Sequence, residues 1–375
     1  MGLIGLFFSL MLAAPNSVKP VMDNTAAANM ASHVVQREDR AALNNAEQEA
    51  AHLFSKGAEA DRAKDELLER AAYLKDWASA RKIQWESVNA QVQVRGIHWA
   101  SPTMVRIYGA DMARYQYRHL SKTHASGWFG LGIVHHWTFE EVQGRWYIAS
   151  DKFIDPLNQN TRLPGSAVPA IIQIPAERRQ ISPSPGAQAA IRYAESYCGA
   201  APGCGNRAVY HPDYEDFTHH GGDCSNFISQ VLRAGGFQEN SRWSWNSQLG
   251  GSDAWINATR LAQYLKSSGR GTVFAAGPLE TLVGPDESGV EPLSRLRPGD
   301  LIGYFENGRV VHFAVVAGFD GEGYPLVISH SADRYRVPWD LGWDRSTLYL
   351  LYHIHYPDSS GAGSRPRPGK PQQYH

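Results

Sequence analysis

The chain has little net charge and little cysteine. Its 375 residues include 36 Lys and Arg against 37 Asp and Glu, a balance that excludes a general electrostatic attraction to nucleic acid or to an acidic membrane surface. The sequence also lacks a Walker loop, a dinucleotide-binding glycine pattern and the CxxC spacing of a zinc site. We therefore expect no nucleic-acid partner, no metal and no cofactor, and the function is expected to lie in a local site.

The apolar run at residues 2–14 is too short to span a bilayer. Its length is that of the apolar region of a secretory signal peptide, although no Lys or Arg precedes it. Residues 1–37 are interpreted as a signal or anchor followed by a flexible segment, and the alternative is a buried apolar terminus. The signal interpretation predicts an extracellular or cell-surface protein associated with a membrane or a cell wall.

Only three cysteines occur, and two of them are close together. Cys198 and Cys204 enclose a short loop rich in Gly and Pro, which can close as a disulfide in an oxidising compartment. That pairing leaves Cys224 as the odd thiol, and an odd cysteine in an exported protein is a candidate reactive group. The alternative is three reduced cysteines in a cytosolic protein.

The order of periodic segments predicts an α+β fold. Helical spacing from about 38 to 84, with a break near Gly57, precedes five short alternating runs between 88 and 154, which indicates a small helix plus β-roll domain at 38–155. Prolines mark a linker at 156–185, and the tail at 358–375 is too polar to fold alone. Between them, residues 186–357 give three helices followed by four strands.

Cys224 lies where a helix is predicted to begin. Asp223 is a good N-cap residue, and the apolar positions after Cys224 give the helix one buried face. Backbone N–H groups at a helix start lower the pKa of a thiol, and the thiolate is the reactive form. Gly221 and Gly222 leave room for another chain to approach. This pattern favours a nucleophile.

His312 is the leading candidate for the base that such a nucleophile requires. It interrupts the apolar strand VVHFAVVAG, where it shares a face with Ala314. The alternative is a histidine that is satisfied within the strand or half exposed. A base also needs a polar group that orients it, so a partner for His312 is expected nearby.

The register of the next hairpin decides which residue orients His312. Without a bulge, His312 lies opposite Ser331, and His330 points to the other side of the sheet. A one-residue bulge would bring His330 face to face with His312. The Ser331 hydroxyl or Asp333 takes the role if the register excludes His330.

Several other residues suit either function or packing. The pairs His135–His136 and His219–His220 suggest a metal, but no nearby carboxylate or cysteine pattern completes a site, so solvated or packing histidines are favoured. Trp255 is expected in the core between helix and sheet. Trp243 and Trp245 suit either a peptide or glycan groove or the core.

The runs GGDCSNFISQVL, GDLIGY and HFAVVAG resemble the "putative amidase domain" family, which is related to the NlpC-type and CHAP cell-wall peptidases of the papain-like superfamily. The resemblance covers roughly residues 186–356. It implies a papain-like fold with Cys224 as the nucleophile, His312 as the base and His330 as the polar residue on the following strand. Tyr214 lies about where NlpC-type relatives have a tyrosine near the oxyanion site, and Tyr210 competes with it.

These observations together predict a cysteine-dependent hydrolase of amide bonds in bacterial cell-wall peptides, which acts through an acyl-enzyme on Cys224. The substrate would be a peptide or peptidoglycan, and the chemistry requires neither a metal nor a cofactor. The alternative is a non-catalytic peptide- or wall-binding module on the same fold.

Overall fold

The computed structural model describes residues 22–44, 46–120, 124–153, 182–205, 209–218 and 220–357. The apolar run at 2–14, most of the predicted linker and the predicted tail at 358–375 lie outside these residues. Among the helices that are described, none is both long and apolar enough to cross a membrane.

Three helices open the described chain: α1 (Asn24–Asn44), α2 (Glu47–Ala51) and α3 (Ala58–Ala80). The helix α1 begins within residues 1–37, so the prediction of a flexible segment there is wrong from Asn24 onward. The sequence pattern was misleading because α1 is polar on average, yet Ala27, Ala31 and Val34 are buried at helical spacing. The predicted break near Gly57 is confirmed, because α3 begins directly after that residue.

A meander of four long strands follows: β1 (Ile83–Ser101), β2 (Met104–His119), β3 (Ser126–Val142) and β4 (Arg145–Phe153). Two runs predicted as separate strands form the single strand β2, which stays paired with both neighbours across residues 109–113. The predicted hairpin turn between β3 and β4 is confirmed, and Gln143 and Gly144 there have φ values of 52° and 80°.

The second half of the chain contains the helices and strands that the sequence predicted, together with elements that it did not. The predicted elements are α4 (Pro185–Tyr197), α5 (Cys224–Ala234), α7 (Ala258–Ser268), β8 (Leu301–Glu306), β9 (Arg309–Phe319), β10 (Pro325–Ser329) and β12 (Leu348–Ile354). The additional elements are β5 (Trp245–Asn246), β6 (Gly250–Gly251), α6 (Asp253–Ile256), β7 (Gly271–Gly277), α8 (Leu279–Val283), a 3₁₀ turn (Pro292–Arg295) and β11 (Asp333–Pro338).

A single ten-stranded sheet joins the two halves of the described chain in a mixed α/β fold. Its order is β1-β2-β3-β11-β10-β9-β8-β12-β7, with β4 also on β3, and its paired strands are antiparallel. Asp333 of β11 pairs with Gly132 of β3, so the sheet continues across the predicted linker. The division of the chain into domains stays a prediction.

The sheet separates two apolar cores. On one side, Ala314 and Val316 of β9 belong to a core shared with α1 and α3. On the other side, Phe313 and Val315 belong to a core shared with α4, α5 and α7. Alternation along β9 thus decides which core each of its side chains enters.

Candidate active site

Cys224 is the first residue of α5 and is buried, with 7% of its surface exposed. Its Sγ lies 4.0 Å from the Val311 carbonyl oxygen of β9 and 3.7 Å from Ser225 Oγ. It is a free thiol, because the predicted disulfide between Cys198 and Cys204 is present. The amphipathic α5 thus places the thiol against the strand that carries His312.

Asp223 occupies the predicted N-cap position, but its carboxylate does not cap α5. Its Oδ1 accepts hydrogen bonds from the Phe217 backbone N–H at 3.0 Å and from Asn226 Nδ2 at 2.8 Å. Its Oδ2 lies 2.6 Å from His330 Nδ1. The Asp223 side chain makes no hydrogen bond to the backbone N–H groups of the first turn, and the backbone bond from Phe227 N to Asp223 O opens the helix.

Both faces and both nitrogens of the His330 ring contact other residues. Its ring is sandwiched between the rings of Tyr210 and Phe227, each with a centroid 3.8 Å away. Its Nε2 lies 2.7 Å from the Tyr197 carbonyl oxygen, which can only accept, so Nε2 carries a hydrogen. With Nδ1 on Asp223, neither ring nitrogen is left for His312.

The register of β9 and β10 explains why His330 and His312 do not meet. The turn closes with Pro325 opposite Phe319, and a bulge follows, so that Ile328 pairs with Val315. If this register is continued along the two strands, Ser331 rather than His330 lies opposite His312. The structure therefore joins His330 to Asp223 and not to His312, and a catalytic role for His330 stays a prediction.

His312 is half-buried and lies on the α3 side of the sheet. Its ring centroid is 5.4 Å from those of Tyr304 and Trp343, and its Nε2 is buried without a hydrogen-bond partner among the described residues. Burial, with smaller contributions from the charges of Arg334 and His330, lowers the pKa of His312 to about 3. The imidazole is therefore neutral at neutral pH.

The pKa of Cys224 is raised, which corrects the expectation of a lowered value at a helix start. Burial is the largest cause, and the charge of Asp223 raises the pKa further. Hydrogen bonds from the Phe313 backbone and from Ser225 act in the opposite direction and do not overcome it. The Val311 and Phe313 contacts place the thiol beside the backbone on both sides of His312.

The other candidates for a third residue also contact groups other than His312. Asp333 Oδ1 accepts a hydrogen bond from the Tyr210 hydroxyl at 2.6 Å, and its Oδ2 accepts one from the Ala200 N–H at 2.7 Å. Burial raises the pKa of Asp333. Ser331, with φ of 84°, accepts a hydrogen bond from the Asp223 N–H through its hydroxyl at 2.8 Å.

The hydroxyl of Tyr214 is bonded to a residue near the end of α5. It accepts a hydrogen bond from Arg233 Nη1 at 2.6 Å, and the Tyr214 ring stacks on Trp255. Arg233 follows Cys224 by nine residues, a rise of roughly 13 Å along the axis of α5. The oxyanion role of Tyr214 stays a prediction. Tyr210 stacks on His330, which in turn contacts Asp223.

The tryptophans and paired histidines mostly serve packing. Trp255 and Trp243 are fully buried, with indole N–H groups that donate to Asn226 and Ser229, so the prediction for Trp255 is confirmed. His135 pairs with Asp151 at 2.9 Å. His219 lies outside the described residues, and within the described ranges no cluster of His, Cys, Asp or Glu could hold a metal ion.

The part of the chain that contains the candidate site is similar to a known family. Residues 185–352, which include Cys224 and His312, match the family described as "Putative amidase domain". The chain is 29% identical over 177 residues to the "Uncharacterized protein YhbB" of Bacillus subtilis (strain 168). That match covers 44% of this chain and 49% of the relative, so the chain spans about half the length of the relative.

One solved structure also matches, the intermembrane space region of the chloroplast protein ARC6. It is 12% identical, the match covers 36% of this chain and 97% of that chain, and the TM-score is 0.26. A similarity of this size carries no argument about fold or function.

Proposed function

We propose that the protein is a cysteine-dependent amide hydrolase in which Cys224 is the nucleophile and His312 is the base, on a papain-like arrangement of helix and sheet. The observation that carries the proposal is the position of the Cys224 thiol against the β9 backbone at Val311 and Phe313. This contact lies within the segment that matches the amidase family.

The resting site holds a neutral thiol and a neutral imidazole. A raised pKa keeps Cys224 protonated, and a pKa of about 3 keeps His312 unprotonated. A preformed thiolate–imidazolium pair is therefore disfavoured. In this proposal the imidazole turns from the α3 side of β9 toward the thiol, and the thiol proton moves to His312 as the sulfur attacks the amide carbonyl, so that His312 acts as a general base.

The reaction then follows the two steps of acyl transfer. The Cys224 sulfur bonds to the carbonyl carbon, the C–N bond breaks, and the protonated His312 returns its proton to the leaving amine. Water then attacks the thioester with His312 as the base, which releases the acid and restores the thiol. The backbone N–H groups of Cys224 and Ser225, at the start of α5, are the oxyanion donors.

The proposed substrate is a peptide amide, in particular one in bacterial cell-wall peptides, and the proposed location is extracellular or at the cell surface. The Cys198–Cys204 disulfide supports this location because such bonds persist in oxidising compartments. The family resemblance of the cysteine segment supports the wall substrate.

A non-catalytic module that binds peptide or wall polymer is the second candidate. The observation that favours it is the burial of the Cys224 thiol, which leaves only 7% of the residue exposed. Under this candidate the thiol never forms a covalent bond with a substrate.

The test is to incubate the full chain with peptidoglycan and with synthetic wall peptides, and to measure new amines and any covalent adduct by mass spectrometry. We expect amine release from the unmodified protein and none from Cys224→Ala or His312→Gln. The matched control is His355→Gln, an exposed histidine that bonds Thr272. Equal release by the unmodified protein and Cys224→Ala would refute the proposal.

A further inference from the structure

The loop at residues 339–344, between β11 and β12, places an aromatic ring beside His312. The ring of Trp343 stacks on Tyr304, with centroids 4.0 Å apart and planes 14° apart. The same ring lies 5.4 Å from the imidazole of His312. Trp343 and Tyr304 thus form the wall that packs against the proposed base.

This loop is held by α3, a helix more than two hundred residues earlier in the chain. The hydroxyl of Tyr73 accepts a hydrogen bond from the Gly342 N–H at 2.7 Å and donates one to the Trp343 carbonyl oxygen at 3.1 Å. Tyr73 is fully buried. Gly342 has φ of 92°, a conformation that glycine adopts without strain, so the turn presents both backbone groups to one hydroxyl.

A second contact fixes the start of the same loop. Arg81, directly after α3, donates from Nε to Asp340 Oδ2 at 2.8 Å, and Tyr324 donates to Asp340 Oδ1 at 2.6 Å. The Arg81 and Asp340 side chains are 1% and 0% exposed. A charged bond that is this well buried holds its two segments in one arrangement, because separating them would leave a charge without a partner.

We propose that Tyr73 and Arg81 are positioning residues for the base: they fix the 339–344 loop so that Trp343 holds His312 in place. This inference rests on the proposed function. It assigns the N-terminal helices a part in the active site, as a support built into the same core, in addition to any binding of wall polymer.

The structure also predicts how loss of this support would appear. Burial is the main cause of the low pKa of His312, so a loosened Trp343 would admit water and raise that pKa toward its ordinary value. The acid limb of the activity profile would then move to higher pH. In addition kcat would fall more than KM would rise, because the change acts on the base and not on groups that bind the substrate.

The experiment compares Tyr73→Phe with Tyr117→Phe in the full chain. Tyr117 is the matched control because it is a buried tyrosine of β2 whose hydroxyl also reaches the second half of the chain, but at Asp320, 3.1 Å away. Carbethoxylation of His312 by diethyl pyrocarbonate is followed by peptide mass spectrometry. We expect Tyr73→Phe, which removes both hydrogen bonds of the hydroxyl, to accelerate it at least roughly fivefold, and Tyr117→Phe to leave it unchanged.

Two further variants keep the result interpretable. Trp343→Leu removes the wall directly and should expose His312 at least as much as Tyr73→Phe, while Trp343→Phe keeps an aromatic wall and should restore most of the protection. Equal protection of His312 in folded Tyr73→Phe and Tyr117→Phe would overturn the inference. Absence of amide hydrolysis in the unmodified protein would refute the proposed function instead, because the carbethoxylation rates do not depend on turnover.

Discussion

Nδ1 of His330 lies 2.6 Å from Oδ2 of Asp223, the residue immediately before Cys224. Both side chains are 1% exposed. The bond ties the start of α5 to the end of β10, and the Asp223 N–H adds a hydrogen bond to Ser331 in the same segment. The position of the proposed nucleophile is therefore set by the sheet as well as by its own helix.

Removing one partner of this pair should be costly. We expect His330→Gln or Asp223→Asn alone to reduce the free energy of unfolding by roughly 1–3 kcal/mol, because the remaining partner loses a well-formed buried hydrogen bond. The double variant should lose much less than the sum of the two single losses. Urea unfolding of the four proteins measures this coupling, and strictly additive losses would contradict a direct interaction.

The Cys224 thiol should react slowly at neutral pH. Its raised pKa means that the thiolate fraction at pH 7 is below that of an ordinary thiol, whose pKa is about 8.5. Alkylation by iodoacetamide should therefore be slower than that of free cysteine and should rise above pH 9. Because His312 is neutral in the resting site, His312→Gln should change this rate little. A rate at pH 7 above that of free cysteine would indicate a preformed ion pair instead.

His312 should make the protein less stable in acid. Its folded pKa of about 3 lies below the unfolded value near 6.5, so the unfolded chain binds a proton that the folded chain does not. The stability contributed by this group is present above pH 6.5 and is lost as the pH falls from there toward 3. Its slope is at most about 1.4 kcal/mol per pH unit. Unfolding by urea at pH 7 and pH 5 should therefore show a smaller acid loss in His312→Gln, and an identical loss would contradict the assignment.

A methyl group at Gly130 should displace the disulfide loop. A Cβ there would lie 2.0 Å from the Pro202 carbonyl oxygen, which is a backbone atom and cannot rotate away. The displacement would pull the Ala200 N–H from Asp333 Oδ2, so we expect Gly130→Ala to lose roughly 1–3 kcal/mol of unfolding free energy. The control is Gly96→Ala, where the nearest atom is Tyr108 Cβ at 3.9 Å. Similar losses in both variants would show that the loop is not the cause.

The sequence predicts those parts of the site that depend on local pattern. The helix after Cys224 and the strand around His312 follow from the spacing of apolar residues, and the Cys198–Cys204 pair follows from proximity in the chain. The side of the sheet that His330 faces could not be predicted, because it depends on a bulge that one sequence does not reveal. The sequence did not predict that the pKa of Cys224 is raised, because the burial of a thiol at a helix start depends on which residues pack over the thiol.

The sequence could not predict which distant segments of the chain are in contact. Tyr73 and Trp343 are 270 residues apart, and each alone is an ordinary aromatic residue in an apolar stretch. The sequence did not predict the β3–β11 pairing, because β11 contains charged residues and its pattern is typical of a loop that follows the predicted strand. Tyr210 and Tyr214 differ by only four residues, and only the fold shows which one lies beside His330.

The pairing of β3 with β11 has a practical consequence for work on the matched segment alone. Tyr335 pairs with Gly130, and Asp333 pairs with Gly132, so residues 185–352 by themselves would present the edge of β11 without its neighbour. An uncovered strand edge recruits other chains through its free N–H and C=O groups. An excised amidase segment would therefore be prone to aggregate, and its solubility would depend on the residues that precede it.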